Sequence, residues 1–259
     1  MMVDHDGNII SAREWFAKFW DPDKWDWQNK SQTLAETFPD YIKLWWNPDK
    51  FNWKEASWAL VVYCYDSFDL WWDPEKFDWG CSHLLAKHCA PYFHKWWDPE
   101  KFDWEEGSRY LAENCSKYFD TWWDPERFYW GASPLLATHC CEHFEKWWDP
   151  ERFNWSYSHT LTFCCEHIEK WWDPDKFDWV GGSLYLVERC SEHFEVWWDP
   201  ERFDYNEESI LGLVRHCAKH AHIWLPHVLE RDNLMATLAQ LIVEHYDIVQ
   251  RTLLKKSLR

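Results

Sequence analysis

The stretch WWDPEKFDW, residues 71–79, returns unchanged at 96–104 and as WWDPDKFDW at 171–179. Its proline gives the period: Pro22, Pro48, Pro74, Pro99, Pro125, Pro150, Pro174 and Pro200 follow one another at steps of 26, 26, 25, 26, 25, 24 and 26 residues. Pro226, in IWLPHVLE, continues the last step as a degenerate copy. Self-similarity at a fixed period of 20–50 residues is the signature of a repeat architecture, so this phrase decides the fold before any local propensity does.

Between one phrase and the next the sequence has helical spacing. In the third unit Leu60, Cys64, Phe68 and Trp71 fall at steps of four, four and three, which places them on one helical face. Ser57, and its counterparts Ser82, Ser108, Ser133, Ser158, Ser183 and Ser209, stand where an N-cap hydroxyl would accept a free backbone N–H. The spacing predicts a helix of 14 residues from that serine to the tryptophan pair. One residue is missing between Leu161 and Cys164, inside the predicted helix.

The phrase itself reads as a second helix start. Asp73 is placed as N-cap and Pro74 as the first helical residue, where its missing N–H costs nothing. Trp72 and Phe77 then have the spacing of a hydrophobic staple, and Trp71 and Trp79 fill the space between layers. A unit of about 25 residues cannot bury its own apolar face, whereas stacked copies can. Large side chains must supply the buried area, and this accounts for most of the 26 tryptophans.

The expectation is an all-α fold, an α-solenoid of helix–turn–short-helix repeats closed by a C-terminal helix. Residues 1–20 form an N-terminal cap and truncated first repeat, with Ser11 and Glu14 at capping-box spacing. Residues 21–226 form the repeats, and 227–259 a helical cap beginning near Asp232, the whole making one continuous domain. The pattern resembles short-repeat α-solenoids in general. That resemblance is architectural and implies no catalytic residues.

Composition narrows the function. A net charge of −18 disfavours direct binding to nucleic-acid phosphates, and a hydrophobic fraction of 46% excludes a disordered acidic tail. No apolar run reaches the length of a membrane span, and no leader is visible in MMVDHDGNII. Cys64, Cys89, Cys115, Cys140, Cys164 and Cys190 each lie seven residues before a tryptophan pair. Equivalent positions on packed helices should stand about 9–10 Å apart, too far for disulfides. A reducing cytoplasm is therefore expected.

Three binding surfaces are suggested. Glu75 and Asp78 recur in the phrase, and CEHFEKWW, CEHIEKWW and SEHFEVWW align Glu142, Glu166 and Glu192, His143, His167 and His193, and Glu145, Glu169 and Glu195. These rows of negative charge suit a basic or extended protein partner, so the leading expectation is a non-catalytic interaction scaffold without a cofactor. The same rows suit an inhibitor that mimics nucleic acid. A third reading places a metal or small molecule at His216 and His220, which by position replace the cysteine and phenylalanine of the core pattern in the last unit. Nucleotide-binding and hydrolase motifs are absent from the sequence.

Overall fold

The computed structural model describes residues 2–3 and 9–231. The predicted C-terminal helix from Asp232, with His245, lies outside the described residues. The chain divides after Tyr129 into two compact units, each an all-α stack of the same repeat. A two-residue antiparallel pairing, Met2–Val3 with Ile9–Ile10, precedes the first helix. That helix, Ala12–Phe19, opens with the predicted capping box: the Glu14 N–H donates to Ser11 Oγ (3.2 Å), and Glu14 Oε2 accepts from the Ser11 N–H (3.0 Å).

The regular repeat has a longer helix, three residues of 3₁₀ helix and four residues of α-helix. Trp53–Tyr63, Tyr65–Ser67 and Phe68–Trp71 form one such set, and Trp179–Arg189, Ser191–His193 and Phe194–Trp197 another. The predicted 14-residue helix is thus broken at the cysteine. Cys64 is the C-cap: its N–H donates to the Leu60 carbonyl (2.9 Å), and its own carbonyl accepts from the Trp71 indole (2.9 Å). The same indole bond recurs from Trp96 to Cys89, Trp122 to Cys115, Trp147 to Cys140, Trp197 to Cys190 and Trp224 to Cys217, at 2.8–3.0 Å.

The helix also starts earlier than expected. Asn52, Asp103 and Asp178, not the serines, are the N-caps, each accepting from a backbone N–H three residues on. A carboxylate or amide caps a helix as well as a hydroxyl does, so the serine was free for another task. Inside the helix its hydroxyl donates to the carbonyl four residues back, as Ser183 does to Trp179 (2.7 Å). The same oxygen accepts the first N–H of the next helix entry, Asp204 (3.0 Å). Ser57 with Asp78 and Ser82 with Asp103 repeat this bridge. The serine is a joint between repeats.

The phrase 71–79 is a single turn rather than a short helix. Asp73 Oδ1 accepts from the Glu75 N–H (3.0 Å) and the Asp73 carbonyl from the Phe77 N–H (2.9 Å), so one side chain and one α-turn close the corner. Pro74 sits where no donor is required. The Trp72 and Phe77 rings meet at 5.1 Å, as the staple predicts. The Trp79 ring lies 5.8 Å from Phe77 and its indole N–H returns to the Pro74 carbonyl (3.0 Å). Trp71 and Phe77 are buried, whereas Trp72 and Trp79 are half-buried.

The repeat with the missing residue is built differently. Trp155–His167 is a 3₁₀ helix, with non-helical backbone only at Tyr157 and Cys164. Three residues at about 2.0 Å rise and four at about 1.5 Å both advance about 6 Å. The tighter helix therefore keeps Leu161 and Cys164 in register with the Leu and Cys of the neighbouring repeats, and both stay buried.

The serine joint gives a direct prediction. Ser183→Ala removes the acceptor of the Asp204 N–H without touching the core rings. It should cost about 1–3 kcal/mol, read as a lower urea midpoint at unchanged helix content. An unchanged midpoint would contradict the bridge.

Candidate acidic interface

Glu75 and Asp78 turn out to serve the stack. Asp78 caps the next helix entry, accepting from the Gly80 N–H (3.1 Å). Glu75 stands 3.7 Å from Lys101 Nζ of the following repeat, and that ammonium also lies 5.4 Å from the Trp79 ring centre. The arrangement recurs. Lys76 binds Asp49 (2.9 Å) and the Pro48 carbonyl (3.3 Å), and Arg127 binds Glu100 (2.6 Å) and the Pro99 carbonyl (2.7 Å). In the second unit Lys176 lies 3.6 Å from Glu151 and 5.3 Å from the Trp155 ring centre. The cation of each phrase thus docks onto the acid, the proline carbonyl or the tryptophan of the phrase before it. These exposed pairs add about 0.2–1 kcal/mol each, so their main effect is register.

The glutamates of the second unit are placed otherwise. The 3₁₀ segments Cys141–His143, Cys165–His167 and Ser191–His193 carry Glu142, Glu166 and Glu192. The short helices Phe144–Trp147, Ile168–Trp171 and Phe194–Trp197 carry Glu145, Glu169 and Glu195 at their second positions. All six are exposed, and they line one edge of the unit in two rows. Glu145 is tied to Lys170, whose hydrogen bond holds its carboxyl below the ordinary range. Glu192 is tied in the same way to Lys219 (2.7 Å). Glu142 and Glu166 reach only as far as the histidine beside each, at 3.4 and 3.5 Å, and Glu169 and Glu195 face solvent.

The histidines are ring spacers. His167 stacks on Phe144 of the preceding repeat with centroids 4.5 Å apart, and Tyr92 and Tyr118 hold the same position over Phe68 and Phe93 at 4.6 and 4.5 Å. The signal was present in the sequence: except for Ser67 the position holds Tyr41, Tyr92 and Tyr118 and then His143, His167, His193 and His220, which share a flat ring but not a charge. His143 and His193 are half-buried at the equivalent places.

His216 and His220 do not occupy the core positions assigned to them. The helix Glu207–His216 has one extra residue between Ser209 and Leu213, so counting from the serine falls one short. Cys217 and Ala221 are the buried core residues; His216 is exposed, and His220 stacks on Phe194 at 4.6 Å. Among the described residues no three His, Cys, Asp or Glu side chains converge as a metal-ligand set.

The cysteines bring a second correction. Cys141 is bonded to Cys164 and Cys165 to Cys190, with Cα separations of 5.4 and 5.6 Å. The ladder cysteine pairs not with its own equivalent but with the residue after it, at the start of the 3₁₀ segment, where the chain turns toward the next repeat. The argument for a reducing compartment from unpaired cysteines therefore falls. Among the described residues no helix is long and apolar enough to cross a membrane.

Comparison with family models, curated proteins and solved structures returns no match to this chain.

Burial lowers the His220 pKa below its ordinary value of 6.5, with Lys219 and His222 adding to the shift and Glu195 and Glu192 opposing it. A histidine with a depressed folded pKa binds its proton more readily when unfolded, so its stabilising share is present above pH 6.5 and is lost as pH falls. The urea midpoint should drop between pH 7.5 and 5.5. His220→Tyr, which copies Tyr92 and Tyr118, should make that drop smaller. An equal drop in both proteins would contradict the assignment.

Proposed function

We propose that the protein is a non-catalytic interaction scaffold whose second unit binds an extended, Lys- and Arg-bearing protein segment along the glutamate edge. One observation carries this reading. The carboxylates of Glu142, Glu166, Glu169 and Glu195 project from successive, rigidly packed repeats, whereas Glu75 and its counterparts in other repeats are engaged by the cation of the next repeat. These four carboxylates on three successive repeats offer at least one charge-assisted contact per repeat to an extended chain. Electrostatic matching of this kind sets specificity and association rate more than raw affinity. The ordered aromatic stack beneath keeps the row from rearranging, which lowers the entropic cost of binding.

The test is fluorescence anisotropy with a labelled peptide of alternating arginine and serine. Replacing Glu142, Glu166, Glu169 and Glu195 together by glutamine should weaken binding about tenfold and flatten its dependence on salt. Glu75→Gln should leave the affinity unchanged. Equal affinity of the fourfold variant and the parent would remove the proposal.

A further inference from the structure

The two disulfides converge on one repeat. Cys164 links the 3₁₀ helix Trp155–His167 to the repeat before it through Cys141, and Cys165 links it to the repeat after it through Cys190. This is the repeat that lacks a residue and spans its layer as 3₁₀ helix. Such helices have poorer hydrogen-bond geometry than α-helices and rarely run beyond three or four residues. The segment of the second unit with the weakest backbone ladder is therefore cross-linked on both sides.

The paired residues differ in access. Cys164 and Cys190 are buried, whereas Cys141 and Cys165 are half-exposed. Each disulfide thus joins a buried residue to one at the surface. The neighbouring ladder thiols do not compete for exchange: burial pushes Cys140 and Cys217 up to about 12, so they stay protonated. The position of Cys141 and Cys165 is filled elsewhere by Tyr65, Ala90, Ser116, Ser191 and Ala218. The repeat therefore folds without sulfur there, and the cross-links are an addition to it.

We propose that Cys141–Cys164 and Cys165–Cys190 form a thiol–disulfide exchange site for low-molecular-weight thiols, and that its redox state sets the local stability of residues 155–167. In the reducing direction a small thiolate attacks the sulfur of Cys141 or Cys165, the half-exposed residue of each pair, forming a mixed disulfide. The buried sulfur of Cys164 or Cys190 leaves with the bonding electron pair and takes up a proton. A second small thiol attacks the mixed disulfide, releases the small-molecule disulfide and leaves the protein cysteine reduced. Two thiols are oxidised to one small disulfide for each protein disulfide reduced, and a low-molecular-weight disulfide reverses the sequence.

Hydrogen exchange read by mass spectrometry on the full chain, in oxidised and then reduced glutathione, tests the proposal. Amides of 155–167 should exchange about tenfold faster or more after reduction, while 104–114, an α-helix without disulfides, should be unaffected. The double variant Cys141→Ser, Cys165→Ser copies Ser116 and Ser191 and should exchange fast in both buffers. In oxidised glutathione, alkylation under denaturing conditions should leave four of the ten cysteines blocked. Equal exchange of 155–167 in the two buffers, protection retained in the double variant, or ten alkylated cysteines in the oxidised sample would each overturn the inference.

Discussion

Where the long helix of each repeat ends, its last carbonyls have lost their helical partners and lie beside an apolar core. The carbonyl of the capping cysteine accepts the N–H three residues on, as Cys64 does from Ser67 (2.9 Å), and keeps a second lone pair for another donor. The indole of the first tryptophan in each pair is that donor, reaching back seven residues to the cysteine that caps the helix. One side chain therefore fills the layer and completes the hydrogen bonding of the carbonyl beneath it. The sharp break at the cysteine, the 3₁₀ segment and the short helix all follow from bringing that indole into place. The second and third tryptophans depend on it in turn, because they pack over the turn that begins where the first one ends.

Every other joint applies the same economy. The serine hydroxyl carries two bonds, one inside its helix and one to the next repeat. The cation of the phrase holds an acid and a proline carbonyl of its predecessor together. A short repeat has few residues to assign, so single side chains serve local structure and stacking together. The consequence for function is that most recurring positions of the phrase are used up internally. The residues left to meet a partner lie on the 3₁₀ and short-helix edge, where the units vary.

The sequence made the period, the all-α class, the buried face and the Trp72–Phe77 staple legible, because these rest on spacing alone. The helix start was misplaced because aspartate and serine are both good N-caps, and only the stacked structure shows that the serine is needed elsewhere. The register of His216 and His220 was lost to one inserted residue, which spacing from Ser209 cannot reveal. The disulfides were hidden for a related reason. Equivalent cysteines were compared with each other, whereas contact runs from the residue after the ladder cysteine of one repeat to the ladder cysteine of the next. The glutamate rows were visible, but not which of them the lysines of neighbouring repeats would occupy.

The central claim is that the repeated tryptophan phrase is a joint rather than a ligand site, and Trp147 is the place to test it. Its ring is buried and its indole donates to the Cys140 carbonyl at 2.9 Å. Urea unfolding of Trp147→Phe, which keeps an aromatic ring but removes the indole donor while the His143 N–H stays on the same carbonyl, should show a loss of about 0.5–1.5 kcal/mol with the peptide affinity of the folded protein unchanged. An unchanged unfolding midpoint together with weakened peptide binding would contradict the account.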